Sequence, residues 1–181
     1  MKTKNLIIAT FLMVSSILIL DRCNKETIND ELNSQNLVLK SGNIPTVNGQ
    51  GTILWITSAY PEGVKRHFTL HASIMPDGSV KGNGELHWIG GERDIKFDIT
   101  CMYVKGNTAT LSGIITYSSV PEYEGTYCYV RVVDNGEGEN DLPDQISALY
   151  VDLRYPVNCA AVPSYLFLLY EIEGGNIQVK P

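Results

Sequence analysis

Residues 67–88, HFTLHASIMPDGSVKGNGELHW, decide the fold class of this 181-residue chain. Apolar and polar side chains alternate on both sides of Pro76-Asp77-Gly78, which is typical of two strands joined by a tight turn. Proline suits the first turn position and glycine the left-handed one, so we expect Met75 to pair with Ser79. That register puts the apolar residues of both strands on one face: Phe68, Leu70, Ala72, Ile74, Val80, Gly82, Gly84, Leu86 and Trp88.

The same alternation continues along the chain. A strand at 93–104 is predicted to turn at Lys105-Gly106-Asn107 into a strand at 108–117, with Tyr103 opposite Ala109 and Cys101 opposite Leu111. Residues of 93–104 expected to point inward are Ile95, Phe97, Ile99, Cys101 and Tyr103. Further strands are predicted at 51–58, 126–134, 145–153, 165–172 and 176–179. We therefore expect an all-β antiparallel meander that forms a sandwich or a small barrel.

The N-terminus is typical of a bacterial export signal. Lys2 and Lys4 precede an apolar run at 6–20, which is shorter than the ~20 residues that a membrane-spanning helix needs. Because Cys23 follows closely, we expect a lipoprotein in which Cys23 is acylated and becomes the mature N-terminus.

Two alternatives to the lipoprotein stay open. Asp21 and Arg22 stand directly before Cys23, where small residues favour cleavage. The segment is then either retained as an anchor or cleaved near Ser15-Ser16 with full secretion. All three alternatives place the body of the protein outside the cytoplasm, at the cell envelope or secreted.

Composition divides the chain into an export segment at 1–22, a polar tether at 23–48 and a single β-domain at 49–181. The formal net charge is −6 and only 19% of the residues are charged. Since there is no basic face, we expect no nucleic-acid partner. Cys101 and Cys128 fall on apolar strand faces and Cys159 lies in a proline-bounded loop, so either the thiols are free and buried or Cys128 is bridged to Cys159.

Several short motifs occur in a consistent order across 49–181. They are Gly49-Gln50-Gly51-Thr52-Ile53, the turn from Asp77 to Gly82, Gly106-Asn107-Thr108-Ala109 with Gly113, the loop Val132 to Glu137 with Asp141 or Asp144, and Gly174-Gly175-Asn176-Ile177-Gln178-Val179. In this order the chain resembles a family of small secreted bacterial β-domains to which no reaction is assigned. The resemblance implies secretion and a β-fold and transfers no active site. The chain departs from the family pattern at Lys180, where the family has histidine, and at 154–164, which reads as an insertion.

Two groups of residues carry metal-ligand chemistry. In the predicted hairpin register His67 and His87 lie opposite each other on the polar face, with Glu85 and His71 nearby, and imidazoles and a carboxylate in this arrangement suit zinc. A loop rich in oxygen ligands, with Asp134, Asn135, Glu137 and Asp141, has the donors that calcium prefers. The default expectation is that the protein needs no cofactor, because a polar sheet face and a turn loop account for both groups.

A third group is aromatic. Tyr123, Tyr127, Tyr155 and Tyr165 lie in or beside predicted loops, where aromatic rings stack on sugars or anchor a protein partner. The chain has no G-x-S-x-G elbow, phosphate loop, H-E-x-x-H or nucleotide fingerprint.

The sequence therefore favours an exported, lipid-anchored β-domain that acts as a binding or structural module at the bacterial cell envelope. Its partners would be the membrane, through the lipid anchor, and an envelope protein or glycan. The alternative is a metal-dependent site or enzyme that uses His67, His87 and Glu85. A surface spacer without a ligand is a third candidate.

Overall fold

The computed structural model describes residues 44–91, 93–137 and 141–181. The predicted export segment at 1–22, Cys23 and the tether up to residue 43 lie outside the described residues. In the described part of the chain, no helix is both long and apolar enough to cross a membrane.

The described residues form a closed antiparallel barrel. Its strands are β1 (Thr46–Thr57), β2 (Tyr60–Ile74), β3 (Val80–Trp88), β4 (Asp94–Lys105), β5 (Thr108–Ser118), β6 (Tyr127–Val133), β7 (Gln145–Ser147), β8 (Tyr150–Leu153) and β9 (Leu169–Lys180). Sheet neighbours run β5-β4-β3-β2-β1-β9-β7-β6, and β5 pairs with β6 to close the ring of eight. β8 pairs with β6 outside this ring. The all-β prediction is confirmed, and of its two forms the structure is the barrel.

The hairpin of β2 and β3 has the predicted register. Met75 N donates to Ser79 O at 2.7 Å, Ile74 pairs with Val80, and Phe68 pairs with Leu86. Gly78 supplies the left-handed conformation with φ +81°. The prediction from the turn sequence is therefore confirmed for the pairing of these two strands.

The predicted pairing of β4 with β5 is wrong by one residue. Lys105 pairs with Thr108, so the turn contains two residues rather than three, and Tyr103 faces Thr110. β4 has one extra residue between Ile99 and Cys101, so the alternation of its side chains shifts by one and Met102 points inward. As a result Tyr103 is exposed and Cys101 points away from the core, contrary to the prediction.

Three strand boundaries also differ from the predictions. β1 begins at Thr46, inside the predicted tether, because its first residues pair with both β2 and β9. The strand predicted at 145–153 is divided into β7 and β8. The strands predicted at 165–172 and 176–179 form one strand, β9, preceded by a 3₁₀ turn at Ser164–Leu166.

Side chains fill the barrel interior. The largest fully buried ones include Phe68, Ile53, Ile99, Leu111, Ile115 and Ile177. A cavity of about 20 Å³ remains beside Phe68 and Phe97, which is room for about one water molecule. Within the described part of the chain, the barrel interior is therefore packed with side chains around this small space.

A substitution at Gly84 of β3 tests how tightly the barrel interior is packed. A methyl group at this position would overlap the ring of Phe97, which is 3% exposed. We expect Gly84→Ala to lower the free energy of unfolding by about 1–3 kcal/mol, the usual effect of overpacking a core. Urea unfolding followed by circular dichroism measures this. Asn83→Ala on the exposed face of β3 is the control, and an equal effect of the two substitutions would contradict the packing.

Candidate functional site

The predicted histidine face has the expected strand register but a different set of contacts. His67 pairs directly with His87 across β2 and β3. The His87 Nδ1 contacts Asp94 Oδ1, and Lys96 Nζ donates to Glu85 Oε1 at 3.1 Å. Across the described residues, no three His, Cys, Asp or Glu side chains are grouped closely enough to hold a metal. The fourth predicted ligand, His71, contacts the Asn48 side chain instead.

The predicted calcium loop joins β6 to β7 at residues 134–144, and we call it the acidic loop; residues 138–140 lie outside the described part of the chain. Its carboxylates accept hydrogen bonds from the backbone of β9. Asp134 Oδ2 accepts from Val179 N at 2.8 Å, and Asp144 Oδ2 accepts from Ile177 N at 2.7 Å. β7 pairs only with Leu169, Tyr170 and Glu171 of β9. The two carboxylates therefore take the place of a neighbouring strand along the second half of β9.

Further hydrogen bonds hold the acidic loop itself. Asp144 Oδ1 accepts from Asn135 N at 2.7 Å, Asp134 Oδ1 accepts from Gly136 N, and Asn135 Nδ2 donates to Pro143 O. Asp144 is 5% exposed. The oxygens of Asp134 thus already act as acceptors within the chain, and the calcium site stays a prediction.

Glu137 also joins the acidic loop to β9, through side chains of β9 instead of its backbone. Its Oε1 accepts from Gln178 Nε2 at 2.6 Å and from Asn176 Nδ2 at 2.8 Å. These two amides hold the pKa of Glu137 below its usual value. Asp141, the fourth predicted calcium ligand, lines the concavity beside Gly136 and Glu137.

Cys101 and Cys159 form a disulfide with a Cα–Cα distance of 6.1 Å, so the predictions of free thiols at these two positions and of a Cys128–Cys159 bridge are wrong. The prediction of a buried free thiol is confirmed for Cys128. Because the extra residue in β4 turns Cys101 outward, its side chain meets the loop that joins β8 to β9. Cys128 points into the barrel as a buried free thiol. Burial raises the pKa of Cys128 to about 12, so this thiol is unreactive at neutral pH.

We call residues 154–168 the bridged loop, because Cys159 ties it to β4. A second anchor lies under its C-terminal end. Tyr129 and Tyr150 stack with ring centroids 4.7 Å apart, and the ring of Phe167 meets both edge-on. Tyr150 Oη also donates to Leu166 O at 2.7 Å. The bridged loop is therefore fixed covalently at one point and by aromatic packing at another.

The four tyrosines predicted to contact a ligand do not form one surface. Tyr123 is half-buried in a 3₁₀ turn (Pro121–Tyr123) and packs against the core, and Tyr127 is half-buried on β6. Tyr155 and Tyr165 lie on the bridged loop and are 79% and 83% exposed. Leu166 and Leu168 on the same loop are also exposed. The bridged loop thus carries the two tyrosines that remain free to contact a ligand.

A groove of about 450 Å³ runs between the bridged loop and the outer face of β4, β5 and β6; we call it the loop groove. Its lining residues are Tyr103, Lys105, Thr108, Thr110, Arg131, Ala160, Val162 and Ser164. Arg131 Nε and Nη2 donate to Thr110 Oγ1, and Nη2 also donates to Val162 O at 3.3 Å. Its guanidinium lies 4.2 Å from the ring centroid of Phe167. The loop groove was not predicted from the sequence, because it depends on the disulfide and the shifted register of β4.

Arg66, a buried arginine at one end of the barrel interior, was also not predicted from the sequence. The Arg66 guanidinium lies 3.3 Å from the ring centroid of Trp55 and 4.1 Å from that of Trp88. Burial lowers the pKa of Arg66 to about 10. A signal was present in the sequence, since Arg66 is in phase with the inward residues Phe68 and Leu70.

Asp144 tests the attachment of the acidic loop to β9. We expect Asp144→Ala to lower the free energy of unfolding by about 3 kcal/mol, because two backbone N–H groups would lose a charged acceptor. Thermal unfolding measures the loss. Asp98→Ala, on the exposed face of β4, should change stability little, and equal effects would contradict the role of Asp144.

Thermal unfolding with excess calcium and with chelator tests the calcium prediction. A calcium site requires a shift of the melting temperature that Asp134→Asn removes.

Comparison with known proteins gives no relative for this chain: a scan of family models and searches of curated proteins and of solved structures find no match. The resemblance to small secreted β-domains therefore stays a prediction.

Proposed function

We propose that this protein is an exported, lipid-anchored β-barrel that binds a glycan at the bacterial cell envelope through its bridged loop. The observation that carries the proposal is the display of Tyr155 and Tyr165 on a loop that a disulfide fixes to the barrel. Exposed tyrosine rings present an apolar face and a hydroxyl group to a partner, and a fixed loop lowers the cost of ordering them on binding.

The disulfide supports the export part of the proposal. Disulfides persist in oxidising compartments and are rare in the cytosol. The N-terminal basic and apolar run with Cys23 favours the same compartment and a lipid anchor. Both features agree with a barrel tethered outside the cytoplasm.

The position of the bridged loop supports a binding role specific to this chain. It contains residues 154–164, the segment in which the chain departs from the family pattern of small secreted β-domains. The barrel interior is filled, so variation in function falls to surface loops. An insertion that is bridged, supported by packed aromatic rings and rich in exposed rings is the part of the described surface best suited to recognition.

The chemistry of the surface favours a glycan over a protein partner. Tyrosine rings stack on the apolar faces of sugars, while hydroxyl groups exchange hydrogen bonds with sugar hydroxyls. Ser164, the chain neighbour of Tyr165, lines the loop groove together with Tyr103 and Thr108, and all three of these lining side chains carry hydroxyl groups. A glycan uses both kinds of contact at once.

Mass spectrometry of the native protein from bacterial envelopes tests the export proposal. We expect diacylglycerol on Cys23, a Cys101–Cys159 peptide pair, and Cys128 alkylated only after unfolding. An unmodified Met1 N-terminus on a cytosolic protein would contradict the proposal. Cleavage near Ser15-Ser16 would keep the export and remove the anchor.

Co-sedimentation with protease-treated envelope polysaccharide tests the glycan proposal. We expect Tyr155→Ala and Tyr165→Ala each to weaken binding about two- to twelvefold, as loss of one aromatic contact of about 0.5–1.5 kcal/mol implies. Tyr117→Ala is the matched control, since Tyr117 is exposed on β5 outside the bridged loop. Failure of the unmodified protein to sediment, or equal retention of all variants, would overturn the proposal.

A further inference from the structure

We infer that the loop groove selects an anionic sugar chain, with acid groups carried on the sugar rings, and this inference rests on the proposed glycan binding. The groove places two cations, Lys105 and Arg131, beside a row of hydroxyls. Among the described residues that line it there is no Asp or Glu. In a chain with a formal net charge of −6, such a local excess of positive charge complements an anion.

Lys105 differs from two other lysines on the barrel surface, Lys65 and Lys96. Lys65 and Lys96 form salt bridges with Glu173 and Glu85, at 2.8 and 3.1 Å. Within the described part of the chain, Lys105 is in no salt bridge, and its side chain is exposed. Its ammonium group is therefore available to pair with an acid group of a ligand.

Arg131 supplies a second charge that is held in place. Thr110 and Val162 accept from its guanidinium, and the ring of Phe167 packs against it. A guanidinium stays charged at neutral pH. Because Arg131 links β5 to the bridged loop, its charge lies at the junction of the two walls of the groove.

The groove has the size and continuity that a sugar chain needs. Its volume of about 450 Å³ is within the usual range for small-molecule sites. Ser164 lines the groove and the next residue, Tyr165, is 83% exposed. A chain lying in the groove can therefore continue across the ring of Tyr165, so the cations select acid groups and the tyrosine stacks on a neighbouring sugar.

Isothermal titration of the full-length protein with defined oligosaccharides tests the inference. The probes are an oligogalacturonate, a sulfated dextran oligosaccharide and a neutral maltooligosaccharide of the same length. We expect at least one acidic probe to bind about tenfold more tightly than the neutral one, as a single charge-assisted contact implies, and its affinity to fall as salt rises. Whether the carboxylated or the sulfated probe binds better identifies the source of the acid group.

A graded series at Lys105 locates the binding. Lys105→Gln should weaken acidic-probe binding about tenfold and Lys105→Glu further, with binding of the neutral probe unchanged. Lys81→Gln, on the exposed face of β3, is the matched control. Unchanged affinity in both Lys105 variants, or equal binding of acidic and neutral probes, would overturn the inference and leave glycan binding standing. Failure of every probe, together with failure of envelope polysaccharide, would overturn both.

Discussion

The closure of the barrel at β9 depends on two carboxylates. β9 pairs with β1 along one edge, but β7 covers only the beginning of its other edge. Asp134 and Asp144 accept the N–H groups of Val179 and Ile177 that would otherwise face no strand. An open strand edge invites pairing with other chains, and a buried N–H without a partner is destabilising. β7 joins β9 to β6 over three residues of β9, and the two carboxylates continue this junction along the rest of the β9 edge.

This closure gives a physical reason for the motifs that carry the family resemblance. The segment Val132 to Glu137 and the segment Gly174 to Val179 lie on the two sides of the same contact, and Gly51 pairs with Gly175 behind it. A side chain on Gly175 would overlap the backbone of Gln50, and its φ of +105° is one that glycine adopts readily. The motifs are therefore accounted for by structure. The proposed binding surface, the bridged loop, lies outside these motifs.

The sequence predicts what local geometry decides. The Pro76-Asp77-Gly78 turn fixes the register of β2 with β3, and with it the opposition of His67 and His87. Turn chemistry does not predict the register of β4 with β5. The turn between them is one residue shorter than expected, and an extra residue between Ile99 and Cys101 offsets this difference. That one-residue difference turns Cys101 toward the bridged loop. The disulfide, the loop groove and the contacts of Asp144 with Ile177 all join distant parts of the chain, so spacing along the sequence carries no sign of them.

The proposed binding on the outside of the barrel agrees with the placement of positive charge. Arg66 occupies the inward face at one end, where Trp55 and Trp88 surround its guanidinium and stabilise the charge through their ring faces. This packing helps to fill the interior and leaves a cavity of only about 20 Å³. Lys105 and Arg131 instead lie on the outer face, beside a loop that the disulfide holds in one position. In the proposed glycan binding, a loop that is already held in place loses less conformational entropy, so weak contacts with a sugar chain suffice for a useful affinity.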